Sequence, residues 1–477
     1  MTKDIIRGLL LEYFPYEPTQ GQMELLEKLS VFVKTDEPRS LFVLSGYAGT
    51  GKTTIISALV NILPALKLNS VLLAPTGRAA KILSNYSKKQ TLTIHKKIYR
   101  KKVVGEWKGT FELTANLHTH TIFIIDEASM ISNSGGLSGA GVFGNVSLLE
   151  DLLNYVYQGI GCRLIFIGDS AQLPPIGLSI SPALDKEYLQ RNYDLQISYI
   201  ELKDIVRQKK ESGILNNATS LRGLLKNKGT LKPAFSLNEF TDIVRMSGGE
   251  LEEALTESYS NYGAEGTLVI CRSNKRANIY NQQIRARIKW QEDEISAGDL
   301  MMVVKNNYFW LEDNSKVGFI ANGDIIEIMK VKGIKELYGF RFADVTIRLA
   351  DYPEEPLLET KILLDTIMSE SPALTQPENK KLHESVLEDY MYIPDKRKRL
   401  NELKKDPYFN ALQVKFAYAV TCHKAQGGQW PSVFVDQGYI TDEMLNTEFI
   451  RWLYTAVSRA TDKLYLVNFN AGFFQNE

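Results

Sequence analysis

The chain has 477 residues, 44% of them hydrophobic and 23% charged, which describes an ordinary globular protein with room for two or more domains. Lysine plus arginine and aspartate plus glutamate both total 56, so the net charge is zero and any polyanion has to be held by local patches. Three cysteines, Cys162, Cys271 and Cys422, lie far apart with no C-x-x-C spacing, which excludes a disulfide framework and a clustered zinc site.

The first residues carry an acid at Asp4 and only a short apolar run before Glu12, unlike a secretory signal. No later run is long enough to span a bilayer, so the expectation is a cytoplasmic protein with no membrane contact. Residues 19–33 (TQGQMELLEKLSVFV) read as an amphipathic helix beginning near Thr19 or Gln20. A glutamine amide here, Gln22 in preference to Gln20, can bond both edges of an adenine; a solvated helix residue is the plainer alternative.

An apolar strand, Leu41-Phe42-Val43-Leu44, then runs into Gly46-Tyr47-Ala48-Gly49-Thr50-Gly51-Lys52-Thr53, and Thr54 continues into a helix. This is the strand–loop–helix setting that gives the pattern G-x-x-x-x-G-K-[ST] its meaning. Glycines let backbone N–H groups turn toward phosphates, and the helix N-terminus adds positive partial charge. Lys52 reaches the β- and γ-phosphates and the Thr53 hydroxyl ligates Mg²⁺, so the chain is expected to bind ATP and Mg²⁺.

A second strand, Ser70-Val71-Leu72-Leu73-Ala74, ends in Pro75-Thr76-Gly77-Arg78. Ligands of open parallel sheets sit beyond the carboxyl ends of the strands, which puts these four residues on the nucleotide face. A basic stretch follows from His95 to Lys108 and reads as a hairpin turning at Gly105. Its charge suits phosphates and Trp107 suits base stacking, as does a merely solvated hairpin. The strand Thr121-Ile122-Phe123-Ile124-Ile125 ends in Asp126 and Glu127, a Walker B pair in which Asp126 holds Mg²⁺ and Glu127 polarises the attacking water. Residues 132–147 read as a mobile Gly/Ser/Asn loop. The next strand, Arg163-Leu164-Ile165-Phe166-Ile167, delivers Gln172 to a position where an amide senses the γ-phosphate.

The order of these elements resembles superfamily-one DNA helicases, in the RecD-like and Dda-like 5′→3′ branch. Asp126-Glu127-Ala128-Ser129-Met130 and Gly168-Asp169-Ser170-Ala171-Gln172-Leu173-Pro174-Pro175 look like motifs II and III, and Glu201-Leu202-Lys203-Asp204-Ile205-Val206-Arg207-Gln208 looks like motif IV. Thr421-Cys422-His423-Lys424-Ala425-Gln426-Gly427-Gly428 is similar to motif V, and Leu453-Tyr454-Thr455-Ala456-Val457-Ser458-Arg459-Ala460 to motif VI. The resemblance implies two RecA-like parallel-sheet motor domains, 1–200 for the first and 201–290 with 407–477 for the second. A hairpin at about 88–115 is inserted in the first, and a small SH3-like barrel with a charged helical extension spans 291–406. It implies that Arg207 and Arg459 are arginine fingers, and that Thr421, His423 and Lys424 contact DNA phosphates. The implied activity is ATP-driven 5′→3′ translocation on single-stranded DNA with duplex unwinding at single/double-strand junctions, by a monomer serving replication, repair or recombination. An RNA helicase of the same superfamily, or a P-loop ATPase that remodels protein, is the rival reading.

Overall fold

This computed structural model describes every residue except 1, 105–106, 134–146, 205–211, 227–230, 238–239, 312–314, 316 and 476–477; at 101–104 and 107–111 it describes the backbone alone. The expected mobile loop therefore lies almost wholly outside the described residues, and so does Arg207.

The first lobe runs α1 (Lys3–Glu12), α2 (Gln20–Lys34), β1 (Ser40–Gly46), α3 (Lys52–Ile62), β2 (Asn69–Ala74), α4 (Gly77–Ser87), β3 (Thr91–Thr93), α5 (Ile94–Ile98), β4 (Tyr99–Val104), β5 (Trp107–Leu113), β6 (Thr121–Ile125), α6 (Leu148–Gln158), β7 (Arg163–Gly168), α7 (Lys186–Asn192) and β8 (Gln196–Leu202). Six of the strands form one sheet in the order β3-β2-β6-β7-β1-β8, parallel at every pairing. Burial on both faces explains why β1, β6 and β7 read as unbroken apolar runs. Phe42 and Leu44 pack with Leu25, Leu29, Ile55 and Leu59 on one face, while Leu41 and Val43 pack with Leu149, Leu152 and Leu153 on the other. Strands β4 and β5 stand apart as an antiparallel pair, with Val104 opposite Trp107.

The second lobe comprises α8 (Gly213–Lys226), β9 (Ile243–Met246), α9 (Leu251–Gly266), β10 (Thr267–Cys271) and α10 (Asn274–Gln283). A barrel follows: β11 (Leu300–Val303), β12 (Ile325–Leu337), β13 (Phe340–Leu349), β14 (Leu358–Leu363), α11 (Asp365–Met368), α12 (Gln376–Glu388), α13 (Lys396–Lys405) and β15 (Leu412–Phe416). The chain then returns through β16 (Ala419–Thr421), α14 (Cys422–Ala425), β17 (Trp430–Asp436), α15 (Thr447–Val457) and β18 (Ala460–Val467). The second sheet, β16-β10-β17-β18-β9, is also parallel throughout, and β11 to β15 close on themselves. The molecule is thus an α/β protein of two parallel-sheet, RecA-like lobes.

Barrel and second lobe share one continuous core. Where the chain leaves the lobe, fully buried Asp299 accepts from Arg285 Nε and Nη2, both at 3.0 Å, and from the Tyr418 hydroxyl at 2.9 Å. A buried carboxylate survives only when paired and bonded in this way. This anchor fixes the barrel to the lobe that carries it.

Candidate nucleotide cleft and nucleic-acid interface

The nucleotide loop is shaped by its backbone. Gly49 and Gly51 sit at φ 78° and 83°, a region costly for any residue with a Cβ, and Gly51 caps α3. Lys52 opens α3 and folds its Nζ back onto the carbonyls of Gly46, at 2.5 Å, and Tyr47, at 2.9 Å. Thr53 and Thr54 follow in the first helical turn, and the Thr50 hydroxyl donates to Tyr47 O at 2.9 Å. Gly46 ends β1 with no room for a side chain, since a Cβ there would lie 3.0 Å from Thr50 Oγ1.

Gln22, expected to read adenine, lies buried at the start of α2. Its Oε1 accepts from Thr19 N at 3.0 Å in a capping box, and its Nε2 donates to Thr50 O at 3.0 Å. Both ends of the amide are spent, and the side chain is 1% exposed. It braces the nucleotide loop from α2.

Across the sheet, β6 delivers Asp126 and Glu127 beside the loop. Burial, and then the charge of Glu127, push the Asp126 carboxyl up to about 6. Glu127 adopts φ 52°, an unusual conformation for a non-glycine residue that re-aims the chain into a short helical turn. Ser129 Oγ and Gln172 Oε1 are buried beyond the ends of β6 and β7 without a hydrogen-bond partner. Backbone amides at a helix start, a lysine, a threonine hydroxyl and two carboxylates form a donor set that fits a nucleoside triphosphate with a hard divalent cation.

The second lobe reaches this cleft through one face of α15. Tyr454, 1% exposed, donates to Asp169 Oδ2 at 2.5 Å and accepts from Ala48 N of the nucleotide loop at 3.0 Å. Ala48 N also bonds Asp169 Oδ2 at 3.1 Å. One turn away, Arg451 Nη1 donates to Ser170 O at 2.5 Å and Gln172 O at 3.1 Å. Thr455 Oγ1 accepts from Leu173 N at 2.9 Å, and Gln426 Nε2 donates to Leu173 O at 2.7 Å. Residues at i, i+3 and i+4 share a helix face, so a single surface of α15 holds the whole Asp169–Leu173 segment.

Arg459, expected as an arginine finger, is packed at the end of α15. It is 3% exposed, and its guanidinium donates to Thr455 O, Gly428 O and Ser458 Oγ, all within its own lobe. These bonds hold the 427–430 turn against β18.

The expected nucleic-acid residues gather where the two lobes and the barrel meet. Thr76 caps α4 through Ala79 N at 3.2 Å, just after Pro75. Arg78 lies over the Trp430 ring at 3.9 Å and donates to Gln429 O at 3.3 Å. Gly427, at φ 73°, packs so close that a Cβ would sit 3.1 Å from Ala79 Cβ and 3.2 Å from Thr76 Oγ1. The Thr421 hydroxyl makes no capping bond to α14, and burial lowers the His423 imidazole. Lys424 Nζ donates to Asn322 Oδ1 at 2.6 Å in the turn before β12, and burial lowers it to about 8. From the same turn Asp324 Oδ1, buried and unpaired, lies 2.5 Å from where a Gly77 Cβ would be.

His95, expected near the nucleic acid, lies on α5. It is half-buried beside the Tyr99 ring at 5.8 Å, and burial lowers it to about 4. A neutral imidazole there brings no charge to a phosphate. The Trp107 side chain lies outside the described residues. Sequence reasoning missed Tyr454, Arg451, Asn322 and Asp324, because nothing local in the chain marks a contact made across lobes.

Family profiles match in the same order as the motifs: an AAA domain over residues 19–225 and a UvrD-like helicase C-terminal domain over 416–467. An uncharacterised protein of Acanthamoeba polyphaga mimivirus is 23% identical over 92% of this chain and 97% of its own length. The ATP-dependent RecD2 DNA helicase of Deinococcus radiodurans is 23% identical over 94% of this chain, which spans half of that protein. The ATP-dependent DNA helicase dda of Enterobacteria phage T4 is 24% identical over 69% of this chain and 73% of its own. An uncharacterised Methanocaldococcus jannaschii protein is 26% identical over 89% of this chain, which spans 36% of it. Among solved structures, Pif1 helicase from Bacteroides in complex with ADP-AlF3 and ssDNA is 17% identical with a TM-score of 0.46, covering 95% of this chain and 94% of that one. A nucleotide loop, a Walker B pair and motifs III, V and VI thus meet at one lobe interface, and in sequence the chain is similar to ATP-dependent DNA helicases such as RecD2 and dda.

Proposed function

We propose that this protein is an ATP-driven motor that moves 5′→3′ along single-stranded DNA and separates duplex ahead of it. The observation that carries the reading is the shared lobe interface. Helix α15 holds the nucleotide loop at Ala48 and the Asp169–Leu173 segment, while the 427–430 turn of the same lobe rests on Thr76 and Arg78. A change of nucleotide state that moves one lobe must therefore move the grip on a strand.

In this reading Gly46, Ala48, Gly49, Thr50, Gly51, Lys52, Thr53 and Thr54 cradle the triphosphate, and Thr53 and Asp126 hold Mg²⁺, which would neutralise charge on the β- and γ-oxygens. Glu127 accepts the proton of the attacking water, and Gln172 orients groups at the γ-phosphate. Arg207, which lies outside the described residues, would serve as an arginine finger, as the resemblance implies. Pro75, Thr76, Gly77 and Arg78 grip phosphates from one side, and Thr421, His423 and Lys424 from the other, with the β4–β5 hairpin as a wedge. Separating one base-pair step costs about 1.4 kcal/mol of stacking, a modest load for one ATP. Substrate and fuel assign the work to the compartment that holds DNA and ATP, and no helix among the described residues is long and apolar enough to cross a membrane.

Unwinding of duplexes bearing a 5′ or a 3′ single-stranded tail tests the proposal. It expects product from the 5′ tail; product from the 3′ tail alone contradicts the direction. Failure of single-stranded DNA to stimulate hydrolysis contradicts the motor itself, and equal stimulation by RNA contradicts the choice of strand.

A further inference from the structure

We infer that Arg222 is a further second-lobe arginine for ATP hydrolysis, parked on the nucleotide loop and delivered to the γ-phosphate when the lobes close. The inference rests on the nucleotide-loop reading above and adds a residue that no motif marks.

Arg222 and Lys226 lie one turn apart on α8, so both project from one face of that helix. That face looks at Tyr47, the second residue of the nucleotide loop. The Arg222 guanidinium carbon stands 4.1 Å from the Tyr47 ring centroid and Lys226 Nζ 5.3 Å from it. The ring is held in turn, because the Tyr47 hydroxyl donates to Glu201 Oε1 at 2.5 Å. Glu201 is also paired with Lys203 at 3.2 Å. The acid nearest the cluster is therefore engaged elsewhere, and Arg222 makes no ion pair or hydrogen bond among the described residues.

Lys226 is an ammonium without a fork, and three other described cations around the cleft are committed. Lys52 bonds two loop carbonyls, Arg451 bonds Ser170 O and Gln172 O, and Arg459 bonds three acceptors inside its own lobe. Arg222 keeps its full set of guanidinium donors, in a planar fork that suits phosphate oxygens. A guanidinium stacked on an aromatic face is held without using those donors. Its helix packs against α15, which bonds Ala48, so α8 and α15 approach the loop together.

In the reaction the water oxygen bonds to the γ-phosphorus as the bond to the β–γ bridging oxygen breaks. ADP leaves, and the water proton passes to Glu127 and then to solvent. Negative charge on the equatorial oxygens is what Arg222 would meet.

The test is strand-stimulated hydrolysis by the full chain carrying R222A or R222K, with single-stranded DNA binding as the check that each variant is folded. For R222A the expected result is a kcat lower by about 10³-fold or more, an ATP KM changed by less than about threefold, and partial recovery with free guanidinium ion but not methylammonium. R222K stays impaired, since an ammonium lacks the fork. Unchanged kcat overturns the proposal. So does a loss that appears mainly in KM, or one that guanidinium does not relieve, because either makes Arg222 a brace for Tyr47. Lys52→Ala run in parallel separates the two readings: normal turnover in that variant would fault the nucleotide loop, not Arg222.

Discussion

Lys52, Tyr454 and Lys424 each carry a different kind of work. Lys52→Ala removes the cation of the nucleotide loop and leaves the strand-contacting residues untouched. The expected outcome is loss of hydrolysis with single-stranded DNA affinity retained, read by a coupled ATPase assay and a binding titration. Tyr454→Phe deletes one hydroxyl that serves Asp169 and Ala48 N together. Removing a bond to a buried carboxylate costs about 1.5–3 kcal/mol, so kcat should fall roughly tenfold or more if the bond persists in the transition state. A melting temperature lowered with kcat intact would make Tyr454 a structural contact only. For Lys424, burial lowers the ammonium from the ordinary 10.5 to about 8, with Lys415, itself lowered to about 8, facing it. Between those values the unfolded chain holds a proton that the fold lacks, so this group adds stability as pH rises through the window. Strand binding asks for the opposite, a charged Lys424. Affinity for single-stranded DNA should therefore fall as pH rises through about 8, and Lys424→Arg should flatten the profile. A profile that stays steep in that variant would contradict the contact.

At the scale of elements, the turn between β11 and β12 wedges itself between the two segments proposed to grip phosphates. Asn322 takes Lys424, and Asp324 abuts Gly77, where burial pushes its carboxyl up to about 7. Gly77→Ala would drive a methyl group into that gap and should destabilise the protein by about 1–3 kcal/mol. Asp324→Ala in the same chain should restore the melting temperature, and failure to do so would refute the close contact. Much of this level was legible in the sequence. Helix α2 begins at Thr19, and the Thr19-x-x-Gln22 spacing is itself a capping-box signature that explains where the glutamine amide goes. Strand β13 occupies Phe340–Leu349, where largely alternating residues announce it, and α12 and α13 begin after Thr375 and Asp395, two side chains that cap. The barrel strand β12 starts at Ile325, directly after the turn that Asn322-Gly323-Asp324 makes.

At the scale of the molecule, the nucleotide loop and the Walker B pair were readable because their chemistry is fixed by backbone and by adjacent residues. The contacts that join the lobes were not. Tyr454 and Ala48 lie 406 positions apart, Gln426 and Leu173 lie 253 apart, and only the packing of two sheets brings them together. Arg459 carries the same lesson, since nothing in the motif order foretells its three bonds inside its own lobe. What the fold builds is a pair of lobes whose interface is proposed to hold fuel at one place and a strand path at another. The most direct test is the distance between the lobes, followed by fluorescence energy transfer in the full chain while it unwinds a 5′-tailed duplex. The account predicts closure on ATP binding and reopening once per hydrolysis, in step with strand separation. Unwinding at normal speed with a constant distance would contradict it.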